Sequence, residues 1–444
     1  MDRHRADATR DRTRPAHRAR AWKPGGPAAL IPRRTVHFLG TSQLVCWGVT
    51  HYLIGVFGSH IEDDLGWESA QVYGGYSAAL LVMGFASPVV GRLIDRHGGS
   101  KIMSIGSVLA AAGCTGLAVS TSLATYYAAW VCLGVAMRCT LYDAAFATLA
   151  RIGGPTARRA MSQITLLGGL ASTAFWPIGH GLTGLVGWRG AVLCYTAIAL
   201  VTLPLHLALP RGRYGETSDA SPHKGPAPSP AEPPEPGTTP PSAAVPEPLA
   251  RTGRERLIAG SLYAVMMTSV AFLGASMSAH MISILTGLGL AATAAVWVAA
   301  LRGVAQSVAR LADVLFGRRI HPLTLALIAT PLLPLGFVAG LGAGELLILA
   351  IAFPMLYGAG NGLLTITRGT LPLALFDHHT YGAFVGRLLL PGFMLSASAP
   401  IVFAFVIDNL GERGALLVAA FLGTFILAAA AALRIRFQQG PPTT

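Results

Sequence analysis

Residues 91–101 read GRLIDRHGGSK, and residues 309–319 read ARLADVLFGRR. Aligned without gaps, Arg92, Leu93 and Asp95 fall on Arg310, Leu311 and Asp313 at an offset of 218 residues. Each copy closes a long apolar run, 72–94 for the first and 290–315 for the second. A second correspondence lies further along. LLGGLASTAFWPI at 166–178 echoes LLPGFMLSASAPI at 389–401, which sets Pro177 against Pro400 at an offset of 223. Two ordered matches at nearly one offset describe an internal duplication, each copy spanning about half of the 444-residue chain.

Outward from these copies the chain is poor in charge. Only 12% of residues are charged and 52% are hydrophobic, about half the charged share of a soluble domain, and the mean hydropathy is +0.54. Runs of about twenty apolar residues suit a bilayer and not water, which excludes an ordinary soluble enzyme. Runs of spanning length fall at 37–58, 72–94, 101–121, 124–149, 160–186 and 189–209, then at 256–283, 290–315, 322–342, 345–372, 382–408 and 413–434. Segment 210–255 holds twelve of the 29 prolines, in text such as SPHKGPAPSPAEPPEPGTTPP, and supports neither helix nor core. The expectation is therefore an all-α integral membrane protein of twelve transmembrane helices in two six-helix bundles, 37–209 and 256–434. A basic tail (1–36), the proline-rich linker (210–255) and a short second tail (435–444) complete it. Repeats that keep the same direction through six spans imply bundles related by an axis along the membrane normal, with a site between them.

The net charge of +13 follows topology. If residue 36 is cytoplasmic, Arg96, Lys101, Arg158, Arg159, Arg318, Arg319, Arg434 and Arg436 all fall on that side, while the opposite gaps carry Arg189 and Arg413 alone. The first opposite gap, HIEDDLGWESA, has four acids and no Lys or Arg. This bias places both termini and the linker in the cytoplasm. Aromatic interleaving of the kind nucleic-acid readers use is missing. The five cysteines lie inside apolar runs without CxxC spacing, so neither a disulfide framework nor a metal site is expected. The first apolar run starts too far from Met1 and runs too long for a cleavable signal peptide.

Gly91, Asp95, Arg96, Gly98 and Lys101 match the loop motif of the major facilitator superfamily, and GRLIDRHGGSK resembles it with Ser100 in place of one base. That resemblance implies twelve helices, alternating access, and a latch in which the motif's aspartate and bases tie the second span to neighbouring helix ends. Asp95 is suited to accept from Arg96 or from helix amides, and in the second copy Asp313 from Arg310.

A strongly polar side chain inside a span is costly and is a candidate for function. Arg138 lies near the middle of the fourth span with Tyr142 and Asp143 close behind, and Arg302, Gln306 and Arg310 follow at four-residue steps in the eighth. Tyr357, Asn361, Thr365 and Arg368 form a milder stripe in the tenth, Gln43, Trp47 and His51 one in the first, and Ser172, Trp176 and His180 one in the fifth. Such stripes serve equally as hydrogen bonds between helices. In the superfamily the first, fourth, seventh and tenth helices line the cavity, which implies that Trp47, Arg138, Tyr142, Tyr357 and Asn361 face it. Arg302 and Gln306 complete the expected binding set. Two guanidiniums against one carboxylate favour a small anion that Arg302 binds bidentately. Residues 65–99 resemble bacterial relatives of the monocarboxylate and oxalate carriers, in which an arginine of the eighth helix engages substrate. Asp143, His51 and His180 are the candidates for proton coupling.

The chain has no GxxxxGK[ST] loop, GxSxG elbow or HExxH, so secondary active transport is expected and catalysis is not. The alternatives are efflux of drugs or trivalent metalloids, since residues 358–376 resemble branches that include arsenical exporters, and a carrier-derived sensor that uses the 46-residue linker. Expected partners are a small-molecule substrate and the lipid of the cell's inner membrane, with no cofactor, no nucleic acid and a monomeric chain.

Overall fold

In lipid no water satisfies the peptide groups, so each apolar run bonds its own backbone as a helix. The computed structural model describes residues 31–153, 157–212, 249–316, 320–376 and 381–437, and within them every regular element is helical. Ten stretches are long and apolar enough to cross a bilayer. The expected tail through residue 30, most of the expected linker, residues 438–444, Arg318 and Arg319 lie outside the described residues.

The first half comprises α1 (Arg33–Cys46), α2 (Leu53–Leu65), α3 (Ser69–His97), α4 (Gly99–Val119), α5 (Leu123–Thr140), α6 (Tyr142–Gly153), α7 (Ala157–Gly169) and α8 (Ala171–Leu207). The second comprises α9 (Gly253–Gly287), α10 (Ala292–Phe316), α11 (Pro322–Ala329), α12 (Leu332–Gly340), α13 (Leu347–Leu375) and α14 (Tyr381–Phe437). Helix begins at Arg33, four residues ahead of the first expected span. Some spans are pieced together. A π turn, Trp47–His51, joins α1 to α2, and extended backbone at Leu141 (φ −76°, ψ −174°) separates α5 from α6.

Other helices are too long for one crossing. The stretches Ala160–Leu207 and Met394–Phe437, 48 and 44 residues, would reach roughly 70 Å against a hydrocarbon core of about 30 Å. Both break at a glycine, Gly187 (φ 68°, ψ 169°) and Gly411 (φ 68°, ψ 179°), in a backbone region that glycine alone occupies without strain. The breaks fall in the gaps expected at 186–189 and 408–413.

The same glycines carry the duplication. Of the five positive-φ glycines among the described residues, Gly66 pairs with Gly289 and Gly187 with Gly411, at offsets of 223 and 224. Around the second pair, GWRGA at 187–191 recurs as GERGA at 411–415, a match the sequence reading passed over. The arginines do matching work: Arg189 pairs with Asp64 at 3.1 Å and Arg413 with Glu345 at 3.1 Å.

Trp130, Trp176, Tyr195 and Tyr263 are fully buried, while Phe85, Leu185, Phe421 and Ile435 are at least 68% exposed. Large apolar side chains directed outward suit lipid contact. The halves meet where α7 and α8 lie on α10, α3 on α14, and α2 on α9. Small residues allow the approach: a Cβ on Gly303 would lie 2.8 Å from the Gly169 carbonyl oxygen. Hydroxyls then tie the backbones, Thr173 Oγ1 donating to Ala300 O (2.7 Å) and Ser307 Oγ to Leu166 O (3.0 Å). At the end away from Leu207 and Leu249, the Tyr73 and His280 rings pack with centroids 4.0 Å apart. His280 Nε2 bonds the Pro400 carbonyl at 2.8 Å, and His180 Nε2 lies 3.1 Å from Thr293 Oγ1. The Tyr73–His280 and His180–Thr293 contacts join the halves at that end.

Candidate functional site

Between the halves lies a cavity of about 230 Å³. One wall comes from the first half, with Trp47, His51, Tyr52, Leu80, Met83 and Tyr142. The other comes from the second half, where α10 supplies Arg302, Gln306 and Arg310, α13 supplies Asn361, Thr365 and Arg368, and α9 supplies Ser278.

The aromatic wall depends on the π turn. There the Tyr52 amide bonds the Trp47 carbonyl (3.0 Å), five residues back instead of four, and the wider turn brings residues 47, 51 and 52 to one face. Side chains bond its flanking carbonyls: Thr50 Oγ1 donates to Cys46 O (2.6 Å) and Trp176 Nε1 to Tyr52 O (3.2 Å). Trp47 sits 4.7 Å from the His51 ring and 5.0 Å from the Tyr142 ring. The Tyr76 hydroxyl lies 2.8 Å from His51 Nδ1. Tyr142 donates its hydroxyl to Thr165 O (3.3 Å).

The opposite wall is cationic. Arg302 is 2% exposed, donates to Ser278 Oγ at 3.3 Å, and has its guanidinium carbon 5.6 Å from the Tyr52 ring and 5.1 Å from the Tyr357 ring. Its Nε and the Gln306 Oε1 are buried without a hydrogen-bond partner. Arg310 does not turn to Asp313. It reaches across the halves to Thr165 O (2.7 Å) and along its own half to Thr365 Oγ1 (3.2 Å), and it lines the cavity. Three guanidiniums line the space, and among the described residues no carboxylate does.

The expected residues separate accordingly. Trp47, Tyr142, Arg302, Gln306, Asn361 and His51 come together on the cavity. Tyr357 stands behind Arg302, its hydroxyl on Leu273 O (3.2 Å). Arg138 and Asp143 do not line the space; they form an ion pair with each other. Gln43 bonds Thr140 O (2.7 Å) between the first and fourth spans, and His180 lies beside Thr293 across the halves, away from the cavity. In the loop motif, Arg151 bonds the main-chain oxygen of Asp95, Gly98 (φ 86°) closes α3, and Ser100 Oγ bonds Leu207 O at 3.4 Å. Arg96, Lys101 and the Asp95 side chain are exposed, and Gly91 faces open space. No cysteine lines the cavity, so a soft-metal cargo would meet no thiol there. Among the described residues no cluster of His, Cys, Asp and Glu could hold a metal.

Sequence reasoning missed Tyr52 and Ser278. Ser278 carried the usual signal of a hydroxyl within an apolar run. Tyr52 carried none, because only the π turn brings it beside Trp47.

The profile described as Major Facilitator Superfamily matches residues 40–386. The structure superposes on a bacterial homologue of the human lysosomal transporter Spinster, in an inward-facing and occupied conformation, with a TM-score of 0.62 at 13% identity over 93% of this chain and 99% of that one. It also superposes on a point mutant of the nucleoside transporter NupG, with a TM-score of 0.64 at 13% identity over 91% and 99% of the two chains. At that identity both likenesses speak to the fold alone. No curated protein matches the sequence.

Proposed function

The chain belongs to the major facilitator superfamily of membrane transporters, and we propose that it moves a small organic anion by alternating access of the cavity between its two halves. One observation carries this reading: Arg302 and Arg310 are buried and line the cavity, and among the described residues no carboxylate lines it. Desolvated guanidiniums are offset best by a carboxylate or oxyanion that accepts two parallel hydrogen bonds. A cationic solute would be repelled at the same place.

Among the proton-coupling candidates His51 is the one on the cavity wall, which makes it our choice over Asp143 and His180. The basic gaps between spans support an inner-membrane placement with cytoplasmic termini, and we take the monomer as the working unit. The test is solute flux in proteoliposomes with panels of carboxylates, oxyanions and organic cations. Anion uptake is expected, with Arg302→Ala lowering it at least a hundredfold while the protein still purifies folded. Flux of cations alone, or unchanged anion flux in Arg302→Ala, overturns the reading. His51→Gln is expected to keep anion exchange and lose acceleration by a pH gradient. Intact acceleration would exclude His51.

A further inference from the structure

The two walls of the cavity differ in kind. Among the described lining residues the arginines all come from the second half, whereas the first half presents aromatic rings beside Leu80 and Met83. Trp47 is at their centre, 5.0 Å from the Tyr142 ring at 46° and 6.1 Å from the Tyr52 ring at 40°. Tyr52 links this surface to the cationic wall, because its ring also lies 5.6 Å from the Arg302 guanidinium carbon. A ligand bridging the walls meets a guanidinium at one end and the faces or edges of rings at the other.

We propose that the transported anion is an aromatic monocarboxylate, with its ring against Trp47 and Tyr142 and its carboxylate on Arg302. This deepens the anion reading and rests on it. Arg302 is suited to the head group: its one hydrogen bond to protein goes to a neutral hydroxyl, Ser278 Oγ, and its Nε has no partner. Arg310 is less suited to a second carboxylate, because it already bonds Thr165 and Thr365. The far wall therefore meets the body of the ligand. Rings there favour a planar partner through offset or edge-to-face contact beyond what area alone supplies. A cavity of about 230 Å³ has room for one ring and a short acid arm.

The experiment uses the full chain, purified, with 3-phenylpropanoate, 3-cyclohexylpropanoate, butanoate, glutarate and phenethylamine as probes and ligand-dependent thermal stabilisation as the readout. The cyclohexyl acid has the same charge and at least as much apolar surface, so any phenyl preference reports ring recognition. The phenyl acid is expected to bind about fivefold more tightly than its cyclohexyl counterpart. Trp47→Leu should bring the two together, while Trp47→Phe keeps most of the difference. Tyr142→Leu provides the same comparison should Trp47→Leu fail to fold. Equal binding of the two ring acids, or tighter binding of glutarate or butanoate, overturns the aromatic assignment and leaves the anion reading standing. Binding of phenethylamine with no acid bound sinks the anion reading itself.

Discussion

Arg138 and Arg302 are the same residue type, each near the middle of its span, the fourth and the eighth, yet their surroundings set them to different work. Arg302 meets rings and a hydroxyl, while Arg138 meets Asp143. In an unbroken helix residues five apart point about 140° away from each other, and that pair would not form. It forms because Leu141 is extended and turns α6 off the axis of α5. The Asp143 side chain is 52% exposed, so a double-mutant cycle on Arg138 and Asp143 is expected to show coupling of only about 0.2–1 kcal/mol. Asp143→Asn should keep its response to a pH gradient, and loss of that response would return the pair to the transport path. His321, just outside the span it caps, accepts from the Leu323 amide at 3.3 Å, and burial, aided by nearby Arg434, holds its pKa below the usual value. A neutral cap favoured by folding stabilises above that usual value, about 6.5, and the stabilisation is lost as pH falls through the folded-state value. Melting temperatures from pH 7.5 to 5 should fall less steeply in His321→Asn than in the parent chain.

Helices were legible as runs of apolar residues, but their joints were not. Nothing in the hydropathy of residues 43–52 marks a π turn, because both helix types bury the same side chains and differ only in which carbonyl each amide takes. The breaks at Gly187 and Gly411 were legible only as short gaps between runs; that they demand glycine is a matter of backbone angle. Gly187→Ala and Gly411→Ala should each cost about 1–3 kcal/mol, read as lowered thermal stability in detergent. Gly181→Ala, with open space at its Cβ and an ordinary helical φ, serves as the control and should be neutral or slightly stabilising. Equal effects at all three would show that the breaks tolerate a side chain.

Two bundles that rock must separate at the end where they now pack. Tyr73 and His280 face each other there across the halves, so Tyr73→Cys with His280→Cys, in a chain whose five native cysteines are replaced, should be joined by a short bis-methanethiosulfonate cross-linker, stop transport and recover with reductant. Transport that survives the cross-link would rule out opening at that end. The duplication predicts such rocking, and it was readable before any coordinates, as were the helical class and the membrane setting. Scarce charge, the length of apolar runs and a constant offset are properties of a line of residues, and a bilayer turns them directly into spans. Which polar side chains meet was decided by tertiary structure alone. A helical stripe shows the direction of a side chain about its own axis, whereas Arg302 gained an aromatic neighbourhood, and Arg138 a counter-ion, through one extra residue in a turn and one extended residue in a span.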